Sequence, residues 1–240
     1  MSISVSIMAH PKRAPYIPYI FSRLGQEVPV AWDTKQDRWD TGRRAWELHD
    51  PAATHHLVLQ DDVILCNDLL QTLPRLVDAA PNRPISLFAR NKAKWNPLIK
   101  LCEKNKAVRW LVMPRLNWGP AILLPVPDIK PMLKWIDKNC YMPNYDVRIA
   151  LFYLIQNQPI WYTMPSLVDH RVDVPSLVWN NSQKTQSIRY AKYFIGEDKS
   201  GATIIWKGMT VKDPIPLAQY LEETLAINKE YRKAQTGGVK

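Results

Sequence analysis

The sequence predicts an α/β fold with a largely parallel central sheet flanked by helices. Three observations predict it. Short apolar, β-rich runs alternate with helical patterns along most of the chain. The hydrophobic fraction of 46% is that of a globular protein and excludes wholesale disorder. A length of 240 residues is enough to bury a substantial core, as one large domain or a domain with a small appendage.

Residues 3–8 alternate and are β-rich, which makes them a first buried strand. No basic segment precedes them, so they do not read as a secretory leader. Residues 16–24 carry Ile17, Ile20, Phe21 and Leu24 at helical spacing, and Gly25 sits where a helix would stop. Residues 28–32 form a short second strand ending at Asp33. Residues 34–42 are polar and turn-like, and 43–49 read as a helix. His56, Leu57, Val58 and Leu59 make a buried strand that runs straight into Gln60, Asp61 and Asp62. His55 and His56 lie at its other end and read as structural.

A helix over 68–79 places Leu69, Leu70, Leu73, Leu76 and Val77 on one face, despite Pro74. A strand follows at 85–88. Residues 90–118 read as long, basic and irregular, and 120–124 as a strand. Asp128 caps a helix with Ile129, Met132, Leu133 and Ile136 inward. Asp146 opens another, using Val147, Ala150, Leu151 and Leu154. A strand at 160–162 leads to residues 165–170, and Asp213-Pro214 starts a last helix. Residues 1–180 form the main domain. Residues 181–240 are an extension within the same compact unit, ending in a frayed tail at 236–240.

Cys66, Cys102 and Cys140 have neither disulfide-framework nor CxxC spacing, so a reducing compartment is expected. No apolar run approaches the roughly 20 residues of a membrane span. The net charge of +10 favours acidic partners but says nothing of fold. It is concentrated: residues 90–115 hold eight cations against one acid, Glu103, a net of +7.

Ligands of such sheets sit beyond the carboxyl ends of the strands. That directs attention to His10 and Arg13, Asp33, Asp61 and Asp62, Arg90, and His170. Two acids inside the apolar stretch 57–65 are expensive to desolvate without a counter-charge. A divalent cation, Mg²⁺ or Mn²⁺, is one efficient counter-charge for oxygen ligands. A solvated strand-end turn is the other reading, and the acid pair alone does not separate them.

Gln60-Asp61-Asp62 resembles the acidic motif of GT-A glycosyltransferases, a Rossmann-like fold. The local match is to the E-D-D version of lipooligosaccharide and procollagen galactosyltransferase-like enzymes, with Gln60 replacing the first acid. Residues 165–170 resemble a late P-x-L-v-x-H segment of bacterial and phage-type transferases. The resemblance covers roughly residues 3–180. It implies a nucleotide-sugar-dependent, metal-dependent transferase, with a UDP-sugar as donor and Asp62 and His170 as metal ligands. It also implies a cytoplasmic setting, in the manner of a phage-encoded enzyme acting in its host. His10, Arg13, Asp33, Arg43 and Asp61 would serve the donor. Trp118 and Gly119, in Leu116-Asn117-Trp118-Gly119-Pro120, would approach the sugar. Asp146 would be the base of an inverting transfer; as a plain first-turn helix acid it would need no catalysis.

In such a fold the basic segment borders the acceptor. Arg90, Lys92, Lys94 and Arg109, interleaved with Trp95 and Trp110, would suit phosphate contacts and base stacking. Hydroxymethylated pyrimidine in DNA is then the favoured acceptor, and a glycan or protein hydroxyl the alternative. A non-catalytic nucleic-acid-binding domain and a metal-dependent phosphoesterase are the competing classes. The sequence assigns no oligomeric state.

Overall fold

A computed structural model describes residues 2–116, 118–171, 173–175, 177 and 189–236. Asn117 and the last four residues of the expected tail lie outside them. Ten strands and seven α-helices follow one another within the described residues. Strands β1 (Ile3–Ala9), β2 (Val30–Trp32), β3 (His55–Gln60), β5 (Ile85–Ser86), β6 (Val108–Met113), β7 (Ala121–Pro125), β8 (Ile160–Thr163) and β10 (Met209–Lys212) form one sheet. Its order is β10-β6-β8-β5-β7-β3-β1-β2. Two short strands, β4 (Val63–Leu65) and β9 (Val168–His170), pair antiparallel beside it.

Four of the seven ladders in the large sheet are parallel, and the α/β expectation holds. The exceptions are informative. β7 runs antiparallel between β3 and β5 in mid-sheet, and β6 runs antiparallel to β8. Reversing β7 brings the residues before it to the edge where β1, β2 and β3 end.

Helices α1 (Ile17–Leu24) and α3 (Leu69–Ala79) cover one face of the sheet. The other is covered by α2 (Arg38–Glu47), α4 (Asn96–Lys104), α5 (Val126–Asn139) and α6 (Tyr145–Ile155). The period-2 alternation of the strands sorts the side chains. Leu57, Leu59 and Leu123 join the α1/α3 core, while Val58, Ile122 and Leu124 join the opposite one. Helix α7 (Leu217–Thr236) is anchored through Asn228, which bonds Tyr141 N at 2.8 Å and Asn139 O at 2.8 Å. The three cysteines are free and buried. No helix among the described residues is long and apolar enough to cross a membrane.

Three local expectations are corrected. Residues 34–42 are not all turn: α2 begins at Arg38, capped by Asp37, whose carboxylate accepts from Trp39 N and Asp40 N. Residues 90–118 are not irregular. They contain α4, which buries Ile99 and Cys102, and the core strand β6. Asp128 lies in the first turn of α5 and is not its cap.

His56 is buried as a neutral ring. Its Nδ1 meets Ser4 Oγ at 2.8 Å and its Nε2 meets Ser6 Oγ at 3.0 Å. Burial pushes both His55 and His56 down to about 4. A histidine depressed in the folded state stabilises fully above its unfolded value and loses that contribution as the pH falls toward the folded value. His56 should therefore contribute a fall in urea stability of about 1.4 kcal/mol per pH unit between pH 6.5 and 4, read as the difference in slope between the parent and His56→Gln. An unchanged slope in His56→Gln would show that the ring is not the cause.

Candidate functional site

A cavity of about 210 Å³ opens at the edge where the parallel strands end. Each element delivers its side chains there for a local reason. β1 stops at Ala9, and His10 caps a 3-10 turn over Pro11–Tyr16 by accepting from Lys12 N. That turn buries Arg13 and aims it at the end of β3. β2 ends beside β1, leaving Asp33 in a turn in which its carboxylate accepts from Lys35 N. β3 ends at Gln60, followed by Asp61 and Asp62.

The acid pair is almost fully buried and is held by arginines. Arg13 Nη1 lies 3.1 Å from Asp61 Oδ1 and 2.5 Å from Asp62 Oδ2. Asp61 Oδ2 accepts from His10 N at 2.6 Å. Arg189, a residue sequence reasoning did not single out, adds a contact of 2.9 Å to the same Asp62 Oδ2. Burial pushes the Asp61 carboxyl up to about 6, with the Asp62 charge adding to it and Arg13 opposing. Burial also works to raise Asp62. The facing imidazole and Arg13 outweigh it, so Asp62 stays well below the usual carboxylate range.

The short β4–β9 ladder sets His170 opposite Val63, next to Asp62. His170 Nδ1 then faces Asp62 Oδ1 at 3.3 Å, and both ring nitrogens are buried without a hydrogen-bond partner among the described residues. Both arginines use Oδ2, so Oδ1 is free of them. Two adjacent ligand atoms of a small octahedral cation with bonds near 2.1 Å are about 3 Å apart, so this oxygen–nitrogen pair fits a divalent cation. Among the described residues no group of three His, Cys, Asp or Glu side chains gathers around it. Such a cation would complete its shell with ligand or water oxygens.

The opposite wall comes from the segment before β7 and the start of α6. Trp118 has φ +63°, in the left-handed region that bulky residues seldom occupy. Asp146 accepts from its N–H at 2.8 Å and holds it there. The Trp118 ring stands edge-on to His170, with centroids 5.6 Å apart. Gly119 follows, and its carbonyl accepts from the Tyr145 hydroxyl. Burial raises the Asp146 carboxyl, against the pull of the Val147 and Trp118 backbone N–H groups. Helix α2 approaches α6 closely at Gly42, where a Cβ would lie 3.2 Å from the Tyr145 ring. That approach brings Arg38 to the cavity, where it donates to Asn144 Oδ1 at 2.5 Å.

The cavity therefore gathers His10, Arg13, Asp33, Asp61, Asp62, Trp118, Gly119, Asp146 and His170 from the sequence expectations. It also holds Arg38, Tyr145 and Arg189, which were missed. Asp37 as an N-cap signal would have pointed to Arg38 in a first turn. Nothing local marks Arg189, whose partner lies 127 residues earlier. Arg43 is corrected: it does not line the cavity. It pairs with Asp137 at 2.9 Å and Glu47 at 2.6 Å, tying α2 to α5.

The basic segment is corrected in part. Trp95 and Trp110 are each only 2% exposed and belong to the cores, so they cannot stack on bases. Arg109 is turned to backbone carbonyls, including Ile205 O at 2.9 Å. Arg90 lies over the ring of Trp118, a cavity residue, while Lys92 and Lys94 lie over those of Trp95 and Tyr220. A nucleic-acid surface built on interleaved tryptophans is thus not present among the described residues.

No protein-family model matches the chain, and no curated protein matches it. Among solved structures it is similar to a glycosyltransferase involved in the glycosylation of the major capsid of PBCV-1. The identity is 9%, over 77% of this chain and 97% of that one, with a TM-score of 0.36. It is also similar to a point mutant of Drosophila β1,4-galactosyltransferase 7 in complex with manganese, UDP-Gal and xylobiose. There the identity is 11%, over 80% and 77% of the two chains, with a TM-score of 0.38. At these scores the likeness carries no functional weight. The functional reading rests on this chain's own residues.

Gly119 has no room for a side chain: a Cβ would stand 2.4 Å from Ile122 Cδ1 and 2.7 Å from the Tyr145 hydroxyl. Gly119→Ala should lower stability by about 1–3 kcal/mol, read as a shift in urea midpoint, and should distort the cavity wall. A variant as stable as the parent would show that the wall is not closely packed.

Proposed function

We propose that this protein transfers a sugar from a nucleotide-sugar, a UDP-sugar, to an acceptor hydroxyl. One observation carries the reading. A single cavity at the strand ends faces Asp33, Asp61 and Asp62 on one side and Trp118, Gly119 and Asp146 on the other. The first set suits a nucleoside diphosphate at the carboxyl ends of parallel strands. The second suits a sugar and an incoming hydroxyl.

Asp33, at the end of β2, is placed to accept hydrogen bonds from the ribose. Arg38 carries a guanidinium to the diphosphate side, with Arg13 and Arg189 holding the acid pair beside it. Asp62 Oδ1 and His170 would hold a divalent cation, Mn²⁺ or Mg²⁺, which when bound supplies positive charge to the leaving diphosphate; an imidazole ligand favours Mn²⁺. Trp118 and Gly119 form the wall against which the sugar rests.

Asp146 is the base of an inverting transfer. Its carboxylate takes the proton of the acceptor hydroxyl as that oxygen bonds to the sugar's anomeric carbon. The bond from that carbon to the diphosphate oxygen breaks, and UDP leaves with the electron pair. Burial raises Asp146 and makes it a better base than a solvated carboxylate.

Incubation with a panel of nucleotide-sugars and Mn²⁺ should give slow donor hydrolysis. Absence of both hydrolysis and binding for every donor would refute the reading. Mn²⁺ alone should bind weakly and at least about tenfold more tightly with UDP present, because two side chains do not fill a cation's shell. Asp62→Ala should remove that gain in calorimetry; tight Mn²⁺ binding without nucleotide, or unchanged binding in the variant, would overturn the metal assignment. Asp146→Asn should lower transfer by about 10²–10⁴. In the parent, activity should fall with decreasing pH through a value above the ordinary carboxylate range, since the base must be ionised. An acid limb at the ordinary value would assign the proton elsewhere.

A further inference from the structure

The positive charge of the basic segment converges on one place beside the cavity. The Arg90 guanidinium lies over the Trp118 ring, 4.3 Å from its centroid. Its Nε is buried without a hydrogen-bond partner, and no acid reaches ion-pair distance of Arg90 or Lys94 among the described residues. Lys94 and Arg115 share the Tyr220 ring, at 5.4 Å and 3.9 Å from its centroid. Glu223 takes Arg115 at 2.7 Å. Lys92 lies over the Trp95 ring, 5.1 Å from its centroid. Burial lowers its pKa, and the charges of Arg90, Arg115 and Lys94 lower it further.

Like charges collected in a partly desolvated place repel, and the cost is relieved when an anion enters. A guanidinium stacked on an indole keeps its edge for a planar or tetrahedral oxyanion. The location matters as much as the charge. Trp118 joins Arg90 to the cavity wall: its ring carries Arg90, and its backbone N–H holds Asp146. An anion at Arg90 would therefore stand on the residue that also binds the proposed base.

We propose that the acceptor is a small anionic molecule, bearing a phosphate or carboxylate close to its reacting hydroxyl, and that Arg90, supported by Lys94 and Arg115, forms its anion subsite. This rests on the glycosyltransferase reading for the word acceptor, but not for the site itself. The anionic group is unchanged in the transfer; it fixes the hydroxyl against Asp146. Its two chemical sources, a phosphate ester and a carboxylate, share the oxyanion that Arg90 recognises.

The test uses the full chain, alone and saturated with UDP, with inorganic phosphate and acetate as probes against chloride at matched ionic strength. Thermal midpoints and calorimetry are the readouts. Phosphate or acetate should bind saturably in the UDP-saturated protein. Arg90→Ala should weaken that binding at least about tenfold, as loss of a charge-assisted contact does, and Arg90→Lys should restore part of it. UDP affinity should be the same in all three proteins, which also shows that the variants fold. Tighter phosphate identifies a phosphate ester, and tighter acetate a carboxylate. Non-saturable effects, or equal effects in Arg90→Ala, would overturn the subsite. Duplex DNA displacing the probe at stoichiometric concentration would overturn a small acceptor in favour of a polyanion. If UDP does not bind at all while phosphate still binds through Arg90, the transferase reading fails and the anion site stands.

Discussion

The burial of two adjacent carboxylates at the end of β3 is the constraint on which the rest of the site depends. Asp61 and Asp62 cannot both stay ionised away from water without compensating charge. Arg13 bridges them, and Arg189 adds a second cation to Asp62. Two acids against two guanidiniums leave the knot near neutrality. The arginines also fasten distant backbone: Arg13 donates to Pro175 O at 2.8 Å, and Arg189 to Val174 O at 2.8 Å. Breaking such a buried pair from one side typically costs about 3–5 kcal/mol, because the remaining charge is uncompensated. The turn after β1, the end of β3 and the segment after β9 are thus held by one electrostatic requirement. Since both arginines take Oδ2, the knot leaves Oδ1 facing His170, and the proposed cation site rests on this asymmetry.

Much of this was legible because it is local. The alternation of Leu57, Val58 and Leu59 announces a strand buried on both faces, and the acids directly after it announce a strand-end site. Asp33, His10 and His170 were found by the same rule, since each follows an apolar run. Asp146 was found as a helix-opening acid. What was lost in the basic segment was lost to charge. Its lysines drew attention away from Trp95, Ile99 and Cys102, spaced i, i+4, i+7, which are the buried face of α4 and its N-terminal flank. Trp110 alternates within β6, and only strand β8 and the loop before β10 place it against Trp161 and Trp206. Arg43 follows from the resemblance alone, whereas Arg38 reaches the cavity because α2 begins five residues earlier than its pattern suggests. Arg189 was illegible in principle, because its meaning comes from a partner far away in sequence.

The reversal of β7 explains why a mostly parallel sheet can build both walls of a cavity on one edge. In an all-parallel arrangement only residues after strands would reach that edge. With β7 reversed, Pro120 O accepts from Gln60 N at 2.8 Å, so the residues before β7 lie beside those after β3. Trp118 and Gly119 come to face Asp61 and Asp62 by topology alone. The left-handed turn at Trp118 then needs a fixed acceptor for its N–H, and the first turn of α6 supplies Asp146.

That bond links the two halves of the site more tightly than their separate roles suggest. The carboxylate that positions Trp118 is the one proposed as base, and the Trp118 ring touches both His170 and Arg90. A change in the protonation of Asp146 alters the strength of its bond to the Trp118 N–H, since an ionised acceptor bonds more strongly than a neutral one. Anion binding at Arg90 would act on the same carboxylate: Asp146 and Arg90 attract through space, and neutralising the guanidinium would remove that attraction. In the proposed reaction an acceptor anion would thus make its own base stronger on arrival, and Trp118, which carries Arg90 on its ring and Asp146 on its N–H, is the residue both charges share.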